Sequence, residues 1–316
     1  MAHLAIVIPA FKGEFLYKTL DSLEQQTNKD FFVYIGNDDG DVEIECVIAQ
    51  FLGRLNMMYT RFTKNLGGTS LVKQWLRCFQ LTQGEEWLWL LPDDDYPDTN
   101  CVELFYAQAA RNDFDVFRFN AQFVTADEKL FKVNKPLPPV QDAFDSLLEK
   151  LSFARPGTVA EYIFSRKKFE QTGFAEIPMA WGTDDLLWFL MGKEKGIYGC
   201  NEASVYLRQS HLNISNNYTS LGPRKIAANF IFFDKLVHSS AFKAEMKTPG
   251  RKEQFRKIAV QHILYNLQDF SMRLSMKDIM KYAAKGSRVW GGGLLRNMRR
   301  FYLNNQRVAK KKQSNG

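Results

Sequence analysis

The sequence predicts an α/β fold built on a mostly parallel, Rossmann-like sheet flanked by helices, with a helical extension at its C-terminus. Three observations predict it. Apolar runs of strand length alternate with helical patterns four times before residue 92, with short connections between them. Those runs are continuous rather than alternating, as in strands covered on both faces. With 316 residues, 45% of them hydrophobic, the chain can bury a sizeable core.

The elements follow in order. "HLAIVIPAF" is rich in aliphatic and β-branched residues and stops at a proline, which reads as a buried strand. It has no basic leader and is too short for a signal peptide. "EFLYKTLDSLEQQTN" spaces Phe15, Leu16, Leu20 and Leu23 on one helical face. "FFVYIGNDDGD" is a second strand closed by an acidic turn, "VEIECVIAQFLGRL" a helix, "NMMYTRFT" a third strand, "TSLVKQWLRCFQLTQ" a helix and "EWLWLLP" a fourth strand. After residue 98 the pattern loosens. "CVELFYAQAARN" reads as a helix, "DVFRFNAQFV" as a strand, "NKPLPPVQ" as a proline-rich loop and "AFDSLLEKLS" as a helix. Beyond residue 220 the patterns are helical, and the last residues read as disordered. The expected organisation is residues 1–220, divided into halves 1–98 and 99–220, followed by a basic helical region, 221–316.

The formal net charge is +7, and Lys and Arg concentrate between Arg251 and Lys312. This balance suits anionic partners, yet no nucleic-acid recognition motif accompanies it, so nucleic acid is not an expected partner. Four cysteines, Cys46, Cys78, Cys101 and Cys200, are widely separated and form no CxxC pair. That spacing suggests neither a zinc site nor a disulfide framework and fits reduced thiols in the cytoplasm. No apolar run approaches the roughly 18 residues of a membrane-spanning helix.

The chemistry should gather where the strands end. Ligands of open parallel sheets bind at the carboxyl ends of the strands. The first strand ends in Pro9-Ala10-Phe11, the second in Asn37-Asp38-Asp39-Gly40-Asp41, and the fourth in Pro92-Asp93-Asp94-Asp95. A solvated turn and a helix cap have the same composition as the aspartate triplet alone. Two acidic strand ends on one rim, however, call for neutralisation, since like charges raise one another's pKa. A hard divalent cation, Mg²⁺ or Mn²⁺, supplies it and completes its shell with substrate phosphates.

Five segments, in this order, resemble the family 2 glycosyltransferases of the GT-A fold, an inverting family that uses nucleotide-diphosphate sugars. "IVIPAFKGEFLYKTLDSLEQQT" is similar to the family's VIPxYN opening and the helix after it. "VYIGNDDGDVE" resembles its VVDDGSxD turn, "NLGGTSLVKQ" its NxGxxxARN segment, "WLLPDDDYPD" the strand leading into DxD, and "WGTDDLLW" the later ED pair. The likeness covers about the first 215 residues. Lys12 stands where the family often has Asn, Phe11 for Tyr, Asp41 for Ser and Asp184 for Glu.

The resemblance implies roles for single residues. Pro9, Ala10 and Phe11 would line the nucleobase pocket; Asp38 would accept from base or ribose, with Asp39 supporting the turn. Lys73 would face the nucleotide, and Asp93 the ribose. Asp94 would be the main metal ligand, Asp95 a further one and His211 a candidate third. Asp185 would be the general base with Asp184 beside it. Trp181 would stack on the acceptor sugar or serve in packing, and Arg208 would lie near the diphosphate. An inverting transfer needs that base to take the acceptor hydroxyl's proton, and a metal on the leaving diphosphate.

The expected activity is therefore metal-assisted transfer of a sugar, from UDP first of all, to a glycan or lipid-linked glycan. Bacterial surface polysaccharide synthesis is the setting that the resemblance suggests. Two other readings share the acidic α/β core. One is a sugar-nucleotide nucleotidyltransferase, against which "PAFKGEF" lacks a glycine-rich basic loop. The other is an inactive GT-A-fold binding protein, against which stand Asp94 and Asp185. In "RKEQFRKIAVQHILYNLQDF" and "LLRNMRRFYL" apolar and cationic residues suit opposite helix faces. That composition fits a peripheral helix on an anionic inner leaflet as well as an ordinary cap with a solvated basic side.

Overall fold

The computed structural model describes residues 3–210, 213 and 220–314. In chain order the described residues form β1 (Leu4–Ala10), α1 (Leu16–Glu24), β2 (Phe31–Asn37), α2 (Glu43–Phe51), β3 (Met57–Arg61), α3 (Leu71–Phe79), β4 (Trp87–Leu90) and β5 (Tyr96–Pro97). Then come α4 (Cys101–Ala109), β6 (Val116–Thr125), β7 (Leu130–Val133), β8 (Val140–Gln141), α5 (Ala143–Leu151), β9 (Tyr162–Ser165), α6 (Arg166–Thr172), α7 (Thr183–Met191) and β10 (Ile197–Gln209). The remainder is helical: α8 (Gly222–His238), α9 (Ser240–Glu245), α10 (Arg251–Asp269), α11 (Met276–Val289) and α12 (Leu294–Ser314). The tail that reads as disordered in the sequence thus continues α12 as far as Ser314.

The strands join in the order β3-β2-β1-β4-β9-β6-β10-β5, with β7 on β6 and β8 on β10. β1 through β4 are mutually parallel where they pair, and so are β6 and β10. β9 lies antiparallel between β4 and β6. The run β1, β2, β3 grows to one side of β1, and β4 returns to the other side. That reversal makes a crevice at the carboxyl ends of β1 and β4, the place where α/β sheets bind ligands.

The sheet is apolar because its strands are covered on both faces. Leu4, Ile6, Ile8, Val33, Ile35 and Trp89 are buried in one core with Leu16, Leu20, Ile44 and Phe51 of the flanking helices. Trp89 and Trp87 are packing residues: the Trp89 ring stacks on Phe119, and its indole N–H donates to the Ala160 carbonyl at 2.6 Å. α3 starts at Ser70, whose hydroxyl accepts from the Lys73 amide, and buries Val72, Trp75, Cys78 and Phe79. A buried ion pair, Arg118 to Glu161 at 2.9 Å, ties β6 to the turn before β9.

Contacts divide the chain into two compact units. One comprises residues 1–146, 155–176 and 183–210; the other comprises 147–154, 177–182 and 211–316. In the second, α8 forms the centre, with Phe230 stacked on Tyr282 and Phe233 edge-on to Phe255 and Trp290. His262 lies between the Leu151 carbonyl and Asn229, with Phe153 stacked on its ring. Among the described residues no helix is long and apolar enough to cross a membrane.

Candidate active site

β4 carries its chain into the crevice. Beyond Leu91, whose amide donates to the Val7 carbonyl of β1 at 3.0 Å, stand Asp93, Asp94 and Asp95. They are 4–7% exposed, far from the solvated turn that their composition allows. Asp93 reaches across to the residues that follow β1: its Oδ2 accepts from the Phe11 and Lys12 amides at 2.8 and 2.9 Å. From α1 the buried Thr19 hydroxyl donates to the Asp95 carbonyl at 2.9 Å, fixing the triplet's backbone. The Asp94 carboxylate faces Lys12, with Nζ 3.6 Å from Oδ2. On the far side the Arg208 amide donates to Asp95 Oδ1 at 2.9 Å.

Burial of three adjacent carboxyls has an electrostatic consequence. Burial pushes Asp93 up to about 6, with the Asp94 charge adding to it and Lys12 opposing. Burial also raises Asp94, against the pull of Lys12, and holds Asp95 well above the usual carboxylate range. The rim is therefore short of positive charge.

The β2 turn closes the same crevice. The Asp38 amide donates to the Ala10 carbonyl at 2.8 Å, and the Gly40 amide to Asn37 Oδ1 at 2.7 Å. A Cβ on Gly40 would lie 2.2 Å from the Phe11 carbonyl oxygen, so the close approach of β1 and this turn requires glycine. Asp39 has φ +59° and pairs with Arg61 at 3.1 Å, at the surface.

Asp38 points instead into the protein. Its two oxygens accept from the Leu66 and Gly67 amides, both at 2.7 Å, and it pairs with Arg77. Arg77 also donates to the Lys64 carbonyl and lies 3.8 Å over the Phe62 ring. The carboxylate expected to accept from a nucleotide is thus engaged in holding the 64–67 loop. Lys73 is exposed on α3, and the cation that joins the loop is Arg77, one helical turn further on. That four-residue spacing on one helix face was the available signal.

Arg208 also has its partners inside the protein. It is 3% exposed, and its guanidinium donates to the Asp94 carbonyl at 3.2 Å, to the Ala126 carbonyl at 2.8 Å and to Glu128 at 3.1 Å. It lies over the Phe15 ring as well. It braces the aspartate triplet from β10. Glu128, which the sequence did not single out, holds a left-handed φ of +61° in the β6–β7 turn and meets both Arg208 and Lys18. At the crevice mouth Pro9 is half-buried, Ala10 buried, and the Phe11 ring 45% exposed.

Asp184 and Asp185 occupy the first turn of α7, where the helix N-terminus favours carboxylates. Their charges act on Tyr162, whose hydroxyl is pushed well up by burial, with Glu161, Asp185 and Asp184 adding and Arg118 opposing. Tyr162 stacks on Trp188 at 4.2 Å. β9 runs with Ile163 opposite Trp89, so Tyr162 is level with Leu90, at the end of β4 from which the triplet departs. Tyr162 stands in a stretch from which sequence reading drew no element.

Trp181 belongs to the other unit. Its ring lies 4.6 Å from the ammonium of Lys225, a fully buried lysine lowered to about 8 by that burial, with Asp269 opposing. It follows Met179 and Ala180, both left-handed at φ +60° and +52°. Strain of this kind costs about 1–3 kcal/mol per residue and collects at functional segments. His211 lies outside the described residues.

Among the described residues no group of three His, Cys, Asp or Glu side chains is placed to hold a metal ion. Asp93 is turned to the Phe11 and Lys12 amides, and Asp95 has one oxygen on the Arg208 amide. Asp94 is the carboxylate set toward the crevice cation, Lys12. One carboxylate plus substrate phosphates is a usual donor set for Mg²⁺, so the residues present fit a cation brought in with a diphosphate.

Comparison with known proteins places this geometry. The chain resembles S. aureus TarS 1–349 solved with UDP-GlcNAc, with a TM-score of 0.65 and 14% identity over 99% of this chain and 92% of that one. It resembles the longer S. aureus TarS structure at 0.69 and 12%, covering 97% of this chain and 55% of that one. A mannosyltransferase, PcManGT from Pyrobaculum calidifontis with GDP-Man and Mn²⁺, is similar at 0.52 and 11%, over 96% and 87% of the two chains. No curated protein matched in sequence. The shared architecture is the GT-A fold, with a central sheet between helices and a helical C-terminal region. The profile described as "Glycosyl transferase family 2" matches residues 5–178, more than half the chain, and on that match the chain belongs to the family 2 glycosyltransferases, enzymes that use nucleotide sugars.

Proposed function

We propose that the protein is an inverting, cation-assisted transferase that moves a hexose or similar sugar from a UDP-sugar to a hydroxyl of a glycan or lipid-linked glycan. The observation that carries this reading is Asp94, buried in the β1–β4 crevice and facing Lys12. UDP leads because the TarS structures hold UDP-GlcNAc and UDP; Mn²⁺ accompanies GDP-Man in the mannosyltransferase. Synthesis of a bacterial surface polysaccharide, with the enzyme lying peripherally on an anionic membrane, is the setting we propose.

The nucleotide enters across Pro9, Ala10 and Phe11, with the exposed Phe11 ring offered to the base. Asp38 and Arg77 shape that pocket by fixing the 64–67 loop. Asp93 holds the Phe11 and Lys12 amides in place and sets Asp94 beside them. A bound divalent cation would sit on Asp94 and offset charge on the leaving diphosphate. The Lys12 ammonium, 3.6 Å from Asp94, is placed to meet the same charge. Asp185 takes the proton of the acceptor hydroxyl as its oxygen bonds to the anomeric carbon. The sugar–phosphate bond breaks, its electron pair leaves with UDP, and configuration inverts. No protein nucleophile is required.

Calorimetric titration of UDP, GDP and CDP, each with Mn²⁺ and then with EDTA, tests the reading. Binding of UDP that disappears with EDTA supports it. No binding of any diphosphate by the folded protein would refute it. With the donor in hand, Asp185→Asn is expected to keep donor binding and lose transfer. Transfer at the wild-type rate would remove Asp185 as the base.

A further inference from the structure

The net positive charge comes entirely from the helical C-terminal region, since residues 1–220 are net negative. Residues 221–316 hold 21 Lys and Arg against 5 Asp and Glu. Part of that charge is gathered in a cavity of about 300 Å³ formed by α10, the Gly291–Gly293 turn and the start of α12. Four cations line it: Arg256, Lys257, Arg296 and Arg300. One acid, Glu253, also faces it.

The cavity is held in shape from beneath. Asn297, fully buried, accepts from the Trp290 indole at 3.1 Å and from Arg300 at 3.0 Å. It donates to the Gly291 carbonyl at 2.9 Å and the Ser287 hydroxyl at 3.0 Å. One side chain thus fixes both Arg300 and the glycine turn. All three glycines are left-handed, at φ +74°, +90° and +73°. A Cβ on Gly291 would lie 3.2 Å from the Arg256 guanidinium, so a side chain there would press on that cation. α12 starts at this turn, and its N-terminal amides add positive potential.

Leu294 and Leu295 follow the turn directly. They are 45% and 81% exposed, and Arg296 of the cavity is the next residue. A cationic cavity with two exposed leucines next to it in the chain is the chemistry of an anionic lipid surface. A soluble phosphate compound would use the cations and leave the leucines without purpose.

We infer that this cavity seats the phosphate headgroup of an anionic lipid, with Leu294 and Leu295 entering the acyl boundary. The inference deepens the peripheral membrane contact proposed above and gives it a location. Removal of a cation near such a surface reduces partitioning about fivefold, so two together reduce it roughly thirtyfold.

The test is sedimentation of the full chain with phosphatidylcholine vesicles, with and without phosphatidylglycerol. The wild type is expected to bind only the anionic vesicles. Arg256→Gln with Arg300→Gln should weaken binding roughly thirtyfold, and Leu295→Asp, a change at an exposed position, should weaken it with the cavity intact. Lys235→Gln with Lys243→Gln, equal in charge removed and outside the cavity, should weaken it less than the cavity pair. Equal loss in the two charge-matched pairs would overturn the inference in favour of a diffuse field. So would loss of inorganic pyrophosphate binding by the cavity pair with vesicle binding unchanged, which would point to a soluble phosphate ligand. A wild type that ignores anionic vesicles yet binds UDP would overturn the lipid seat and leave the transferase reading standing.

Discussion

Truncating Asp38 separates a loop-holding carboxylate from a nucleotide-contacting one. Asp38→Ala removes two acceptors for the Leu66 and Gly67 amides and the partner of Arg77. Hydrogen bonds to a charged group contribute about 1.5–3 kcal/mol each. Breaking a buried ion pair by deleting one partner costs about 3–5 kcal/mol. The terms overlap, because one carboxylate serves all three donors, and Arg77 keeps the Lys64 carbonyl and the Phe62 ring. A loss of about 4 kcal/mol is expected, a large part of the ~5–15 kcal/mol that holds a folded domain together. For a unit this size that lowers Tm by roughly 8–16 °C. Asp38→Asn should do nearly as badly, since either orientation of its amide sets the nitrogen against a backbone N–H, of Leu66 or of Gly67, and the charge that faces Arg77 is lost in both. The assay is thermal unfolding by circular dichroism without ligand, followed by UDP titration of whatever remains folded. If Asp38→Asn melted within about 2 °C of wild type and only nucleotide binding fell, the loop-holding account would be wrong.

Asp94→Ala is expected to abolish cation-dependent nucleotide binding in calorimetry while leaving the fold intact, because its carboxylate faces Lys12 in the crevice. The Tm gained from Mn²⁺ with UDP should be larger at pH 7.5 than at pH 5. Asp93 is raised to about 6 by burial, so between about pH 4 and 6 the folded state holds protons that the unfolded chain has released, and stability falls as pH rises there; a cation relieves only the ionised rim, and equal gains at both pH values would count against a cation at this site. Lys225 is lowered from 10.5 to about 8, so the unfolded chain binds more protons in that window and stability rises with pH through it. Lys225→Met should flatten that rise in urea melts at pH 8 and pH 10, and an unchanged slope would refute the assignment.

The parallel half of the fold was legible because its strands are covered on both faces. "LAIVIPA", "FFVYIGN" and "WLWL" read as continuous apolar runs, and the helices between them carry clear stripes. β9 was not legible: four residues, "YIFS", leave no room for a period, and its antiparallel insertion between β4 and β6 is a tertiary choice. β10 was hidden by its own irregularity, since the polar Asn201 and Glu202 interrupt it where its register with β6 shifts between Cys200 and Ser204. At the site, the strand ends gave away which carboxylates gather. They could not say which way each one turns. Asp38 and Arg208 carry the charges expected of ligand contacts, yet both have their partners inside the protein. Partners contributed by Leu66, Gly67 and Ala126 are backbone groups, which residue identity does not reveal.

The rim shows how this chain divides stability from function. A carboxyl that burial pushes up to about 6 is unfavourable in its ionised form, and Asp93 stands between two others that burial also raises. A protein selected for stability alone would place Asn or Ser at such positions. Here the surroundings are built to hold the acids in place: Thr19 from α1, the Phe11 and Lys12 amides, and Arg208 from β10. The carboxylates of Asp93 and Asp95 accept from backbone amides, and that of Asp94 faces Lys12. Left-handed φ at Asp39 and Glu128 adds backbone strain at the turns that border this rim. Strain and unbalanced negative charge thus meet at the carboxyl ends of β1, β2 and β4. Nothing in the packing of the core requires either. A divalent cation, brought in on a diphosphate, is what would turn this local cost into binding energy.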